Sequence, residues 1–250
     1  MLANGKTDTA PGQILRRLYE ALLESFGPQG WWPARTRREV IWGAILTQNT
    51  TWRNAALALT NLRKSGLLAW RRLRQVPLGE LEQIIRPAGF YRQKAQTLHL
   101  FADWIDQAHG GSLDSLFSAG ASSARAQLLA LKGIGPETAD AILLYSGRHP
   151  VFVADAYTRR VLGRHGLLPP MADYDAAQQF LHQHLPAGEA LFNEFHALLV
   201  EVAKRHCHRN VAHCDECPLG QFLGEKSQFE GRNSKVEIRS DPGVPVSAEG

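Results

Sequence analysis

The stretch Leu131–Asp155, LKGIGPETADAILLYSGRHPVFVAD, decides how this chain reads. Ahead of it, ARAQLLAL is apolar at helical spacing. KGIG then requires a tight turn, in which Gly133 and Gly135 supply backbone angles closed to other residues. Pro136 stands at the first helical position, where its missing N–H is no loss. ETADAILLYSG completes a second helix and ends on a glycine stop. The unit is a helix–hairpin–helix. Such a turn points backbone N–H groups outward at a helix N-terminus, which suits an anion such as a DNA phosphate. Lys132, in the turn, should face that phosphate. Asp155 follows eighteen residues after Glu137, directly behind the β-like run VFVA.

Outward from this stretch the periodicity is helical nearly everywhere. Gln13–Phe26 has apolar residues on one face, and Arg37–Gln48 is apolar enough for a buried helix. Further helices are predicted over 52–65, 78–85, 91–108, 113–118, 123–131, 156–165, 173–185 and 188–205. GPQGWWPART reads as a loop carrying Trp31 and Trp32. Strand signals are confined to 151–154, so the fold class is all-α. Residues 1–11 read as a flexible leader. Residues 224–250, rich in Ser, Gly, Pro and charge, read as a disordered tail.

The 250 residues are enough for a sizeable core in one or two domains. A net charge of +4 permits a nucleic-acid partner without demanding one. The basic runs RTRR (35–38) and RRLR (71–74) are explained by solvated helix faces alone. No stretch is apolar and long enough to span a membrane, and the N-terminus lacks the order of a secretory signal. Three cysteines, Cys207, Cys214 and Cys217, do not make a disulfide framework, and a reducing, cytoplasmic setting is expected.

GIG opening a helix, a short extended run and VAD resemble the helix–hairpin–helix DNA glycosylases with a Gly/Pro loop and a catalytic aspartate (HhH-GPD). The resemblance runs from about Ile41 to Leu219, and the nearest subgroup looks like endonuclease III. It implies two lobes with the active site in the cleft between them. One is a six-helix lobe over 36–149. The other joins 12–35 to 150–223 and carries the cysteine loop. It also implies that Asp155 is the catalytic aspartate. A carboxylate there would stabilise the positive charge that develops on the sugar as a base departs, and could orient or deprotonate water. The residues alone also allow Asp155 to be the cap of the helix that follows, and the two roles are compatible, since a cap fixes a carboxylate in space.

Lyase members of the family carry a lysine where this chain has Glu137. A carboxylate cannot form the Schiff base that cuts the strand, so the expected enzyme is monofunctional and uses water. Trp31 and Trp32 resemble the aromatic pair of 3-methyladenine DNA glycosylases of the endonuclease III type, and a cationic alkylated purine would stack on them. Packing between lobes is the other account of this pair, and Trp52 reads as core more readily than as pocket. Gln48 matches the family's intercalating glutamine, filling the gap left by a flipped base. GFYRQKA (89–95) places Lys94 near DNA.

Cys207, Cys214 and Cys217 have the spacing of the first three ligands of the endonuclease III iron–sulfur loop. Leu223 stands where the fourth should be. A [4Fe–4S] cluster with an incomplete cysteine set is placed ahead of two alternatives, zinc in a Cys3His site and no metal. The whole reads as a DNA base excision repair glycosylase, a monomer acting on double-stranded DNA that contains damaged bases. Its rivals are an endonuclease III-like glycosylase and lyase acting on oxidised pyrimidines, and a non-catalytic helix–hairpin–helix DNA-binding protein.

Overall fold

Helices, half of them begun by a capping side chain, build this chain. The computed structural model describes residues 9–224. Twelve α-helices are found among them: α1 Ala10–Phe26, α2 Arg37–Thr47, α3 Trp52–Lys64, α4 Trp70–Leu73, α5 Leu78–Ile84, α6 Tyr91–His109, α7 Leu113–Ser118, α8 Ala121–Leu129, α9 Pro136–Ala141, α10 Ala156–Arg164, α11 Tyr174–His184 and α12 Glu189–Arg205. No strand occurs among the described residues, and the fold is all-α. Thr9, Thr36, Thr51, Ser112, Asp155 and Asp173 each accept the backbone N–H three residues on. A cap of this kind contributes about 1 kcal/mol.

The structure departs from the sequence expectations in several places. Thr9 caps α1 and Ala10 and Pro11 belong to it, so the leader shortens; residues 1–8 lie outside the described residues. Gly224 lies in a turn, and the rest of the expected tail also lies outside. The run 151–154 is buried but pairs with nothing as a strand. Helix α4 went unseen because four residues carry too little periodicity. The helix begun at Pro136 widens into a π-helical turn over Ile142–Ser146, and Gly147 N–H bonds to Ile142 C=O at 3.0 Å. Of the two hairpin glycines only Gly133 (φ 91°) has a left-handed backbone. Gly135 (φ −94°) is ordinary extended chain. The stop at Gly147 depends on space. A Cβ there would lie 2.7 Å from Leu143 O and 2.8 Å from the Phe117 ring.

Helix α2 runs through the centre and is buried from Glu39 to Leu46. It packs on α3, α6 and the π-helical turn. Trp42, Trp70 and Phe101 close the core around it, Trp42 edge to face with each of the other two, with centroids 4.8–5.7 Å apart. Helix α12 packs on α1, α10 and the π-helical turn. Phe152, Phe192 and Phe195 fill that side, and the buried apolar residues form one continuous cluster. No helix among the described residues is long and apolar enough to cross a membrane.

Candidate active site

Asp155 ends the buried run 151–154 and begins α10, so its carboxyl is fixed from both sides. Oδ1 accepts Thr158 N–H at 2.8 Å, and Oδ2 faces His196 Nε2 at 3.4 Å. Burial alone would push this carboxyl up. The His196 and Thr158 contacts outweigh burial and hold it below the usual aspartate value. The cap and the catalytic candidate are therefore the same residue. One face of the carboxylate is used structurally and the other opens on a cavity of about 680 Å³, a size suited to a small ligand.

Glu137, in the first turn of α9, lines that cavity with Asp155, His196 and Tyr145. Its carboxyl lies above the usual glutamate range, first through desolvation and then through the negative charge of Asp155; His196 and Arg159 act the other way. The two carboxylates are thus driven apart, Asp155 down and Glu137 up. Tyr145, in the π-helical turn, hydrogen-bonds His196 Nδ1 through its hydroxyl.

The aromatic wall comes from the loop between α1 and α2. Gln29 N–H donates to Glu194 Oε1 and Arg35 N–H to Glu39 Oε2, both at 2.6 Å, which pins the loop at each end. Buried Glu39 is balanced by Arg63, 2.8 Å away. Between these anchors Trp31 and Trp32 meet Trp52 edge to face, at 4.9 and 5.2 Å. Trp52 packs against the core, as expected, and from the start of α3 it also lines the cavity with the other two. Gly43 makes room, since a Cβ there would lie 3.0 Å from the Trp32 ring.

Gln48 caps the C-terminal end of α2 at the cavity. Its Nε2 donates to Gly133 C=O at 2.9 Å and to Thr138 Oγ1 at 2.8 Å, tying α2 to the hairpin. Lys132 and Gly135 are exposed on the hairpin turn. Gly133 is held against α6, where a Cβ would come within 2.1 Å of Thr97 Oγ1. Lys94 is not a DNA contact. It is 2 % exposed, and its Nζ donates to Leu46 C=O at 2.9 Å and Ala88 C=O at 2.8 Å. The GFYRQKA segment does lie beside the end of α2, but its lysine turns inward because two otherwise unpaired carbonyls sit there.

The profile of the HhH-GPD superfamily of base excision DNA repair proteins matches residues 42–187. The chain belongs to this superfamily. A protein of Methanocaldococcus jannaschii, provisionally named a DNA repair glycosylase, is 40% identical to it over 86% of this chain and 97% of its own length. An endonuclease III of Sulfolobus acidocaldarius is 28% identical over 73% of this chain and 79% of its own. Among solved structures, the H. pylori 3-methyladenine DNA glycosylase bound to 1,N6-ethenoadenine superposes with a TM-score of 0.68 at 28% identity, covering 79% of this chain and 98% of that one. The protein is a DNA glycosylase of this superfamily.

In this glycosylase the cysteine loop is closed by protein groups. Arg160 Nε donates to Cys207 C=O at 2.7 Å. Arg164 bonds Cys207 Sγ at 3.0 Å, His208 C=O at 2.8 Å and Arg209 C=O at 3.0 Å. The three cysteines and Leu223 share a cavity of only about 20 Å³, room for about one water molecule. No group of three or more His, Cys, Asp or Glu side chains among the described residues has metal-holding geometry. The residues present do not fit a four-iron cube with four thiolates. A Cys3His zinc set is likewise not assembled.

Sequence reasoning missed His196 and Tyr145. Tyr145 lies in the second helix of the hairpin unit and His196 outside any motif, and each sits within an apolar helical segment that reads as core. Their one sequence signal is polarity inside such a segment.

Proposed function

We propose that this DNA glycosylase is monofunctional and releases an alkylated purine from double-stranded DNA. The observation that carries the reading is Glu137 on the cavity wall beside Asp155, at the position where a lyase would present an amine. The target base enters the cavity flipped out of the duplex. Its C1′–N bond breaks and the bonding electrons leave with the base. The Asp155 anion stabilises the oxocarbenium charge left on the sugar. Water then attacks C1′ and gives its proton to Glu137, the more basic of the two carboxylates, leaving an abasic site and free base. Opposite pKa shifts in neighbouring carboxyls support this division of labour.

The three tryptophans support a cationic base. N3- and N7-alkylated purines carry positive charge, leave without prior protonation and stack on indole faces, each contact contributing about 1 kcal/mol. Gln48, at the cavity mouth, is the residue to fill the vacated stack, and Lys132 with the amides of the hairpin turn would meet a phosphate. The cavity would then lie between two lobes, 36–149 on one side and 12–35 with 150–223 on the other. For the cysteine loop, the Arg160 and Arg164 bonds and the small cavity support a metal-free scaffold, and no chemical step passes through it. The enzyme would act in the cytoplasm as a monomer.

One lysine, Lys204, lines the cavity. It stands two turns of α12 beyond His196, about 12 Å along the axis, which sets it away from Asp155. The test is a panel of duplexes carrying methylated, deaminated or oxidised bases, assayed for released base before and after alkali, with parallel borohydride trapping. We expect release from methylated purine, strand cleavage only after alkali, and no trapped adduct. A covalent adduct that Lys204→Met abolishes would overturn the monofunctional reading in favour of a lyase. Preferential release of oxidised pyrimidine would overturn the substrate.

A further inference from the structure

We propose that His196 is a positioning residue. Backed by Tyr145, it presents a fixed Nε2–H to Asp155 Oδ2 and so holds the carboxylate aimed at the cavity. This rests on the reading of Asp155 as the charge stabiliser of base release.

The argument is one of donors and acceptors. The Tyr145 hydroxyl bonds His196 Nδ1. The phenol is buried and keeps its proton, because burial first, and then the charges of Asp155 and Glu194, disfavour phenolate. Across the ring, Nε2 faces a carboxylate oxygen, which can only accept, so the tautomer that satisfies both contacts carries its hydrogen on Nε2 and leaves Nδ1 to accept from the hydroxyl. That nitrogen is buried, and no hydrogen bond of ordinary geometry reaches it among the described residues. What it faces is Asp155 Oδ2, at 3.4 Å. The other oxygen, Oδ1, is taken by Thr158 N–H. A backbone N–H of α10 thus fixes one oxygen, and the imidazole of α12 stands against the other.

The relay is itself held in place. The Tyr145 ring lies 5.2 Å from Trp32, and the His196 ring lies 6.4 Å from Phe152, edge to face. The charged and titratable groups around the pair are Glu137 on α9, Arg159 on α10, Tyr145 on the π-helical turn, and Glu194, Glu201 and Lys204 on α12. A histidine serving only as core would affect stability alone when replaced.

The experiment uses the full chain and three variants, His196→Ala, His196→Gln and Tyr145→Phe. Single-turnover base release and duplex affinity are measured for each. The imidazole tautomer is read by 15N NMR, and the Asp155 carboxyl is titrated by 13C NMR. We expect His196→Ala to slow release by roughly 10–100-fold at unchanged duplex affinity, the scale of a misplaced reacting group. Glutamine, which can still donate, should restore most of the rate. Tyr145→Phe should free the tautomer and slow release to a smaller degree. In both His196→Ala and Tyr145→Phe the Asp155 titration should move upward. A wild-type ring protonated on Nδ1 would overturn the proposal, as would unchanged release and an unmoved Asp155 titration in His196→Ala. If His196→Ala does not fold, the glutamine and phenylalanine variants decide by the same readings. If the wild type releases no base from any duplex, the reading of the reaction fails, while the tautomer and the Asp155 titration still decide the role of His196.

Discussion

Asp140 and Asp155 are both buried, both belong to the segment around the hairpin, and do opposite things. Asp140 is fully enclosed. Arg125 donates to it through Nε at 2.7 Å and Nη2 at 3.1 Å, Tyr174 through its hydroxyl at 2.9 Å and Gln178 through Nε2 at 2.7 Å. Its charge is matched by a guanidinium and its lone pairs are occupied. It joins α8, α9 and α11 and has nothing left to offer a substrate. Asp155 has one strong backbone donor, a longer contact to an imidazole, no guanidinium bonded to it, and a cavity in front. A buried carboxylate with capacity left over is the one that can answer a charge arriving from outside.

The largest expected effect tests that contrast directly. Asp155→Asn should lower base release by roughly 10³-fold, the size seen when a preorganised electrostatic partner is removed. Duplex binding should survive, because an amide can still accept Thr158 N–H as a cap. Asp140→Ala should reverse the pattern. It strands Arg125, so unfolding stability should fall by about 3–5 kcal/mol, while the protein that remains folded keeps its rate. Denaturant melts and single-turnover assays on both variants suffice. Equal losses of rate in the two would erase the distinction.

Glu137→Gln sharpens the comparison at the next level. The Glu137 carboxyl titrates above its ordinary value of 4.5 and that of Asp155 below its ordinary 3.8. As pH falls, Glu137 gains its proton first, while Asp155 stays ionised. The wild-type rate should therefore drop on the acid side through the Glu137 titration. Glutamine should lower the plateau by about 10²-fold and remove that acid limb. A limb that persists in the glutamine variant would return the proton-accepting role to Asp155.

The same contrast explains what could be read in advance. Helix spans follow from local periodicity and caps, so α2, α3, α6, α7 and α12 lie within a residue or so of expectation. The hairpin was legible from its glycines and proline, and Asp155 and Glu137 stood out only through the family resemblance that the hairpin and VAD carry. Asp140 was not, because its partners Arg125, Tyr174 and Gln178 come from three separate segments. Trp52 was undervalued for the same reason: the tryptophan trio meets only once the loop of Trp31 and Trp32 is pinned by Glu194 and Glu39. His196 looks in sequence like any histidine on a packed helix. Tertiary contacts bring these residues together, and periodicity does not encode them.

Lys94 shows how far sequence can mislead about charge, and it yields the smallest expected effect. Buried with two carbonyl partners, it braces the last turn of α2, from which Gln48 reaches the hairpin. Desolvation lowers its pKa from 10.5 to about 8. The unfolded chain therefore binds more protons than the folded one between pH 8 and 10.5, and this group makes stability rise with pH across that window. Lys94→Met, similar in length, should remove that rise. It should also cost about 1–3 kcal/mol by leaving the Leu46 and Ala88 carbonyls without a donor. Denaturant melts of wild type and variant at pH 8, 9 and 10 measure the difference. Parallel pH dependence in the two would mean the ammonium is solvated after all, and would return Lys94 to the surface facing DNA.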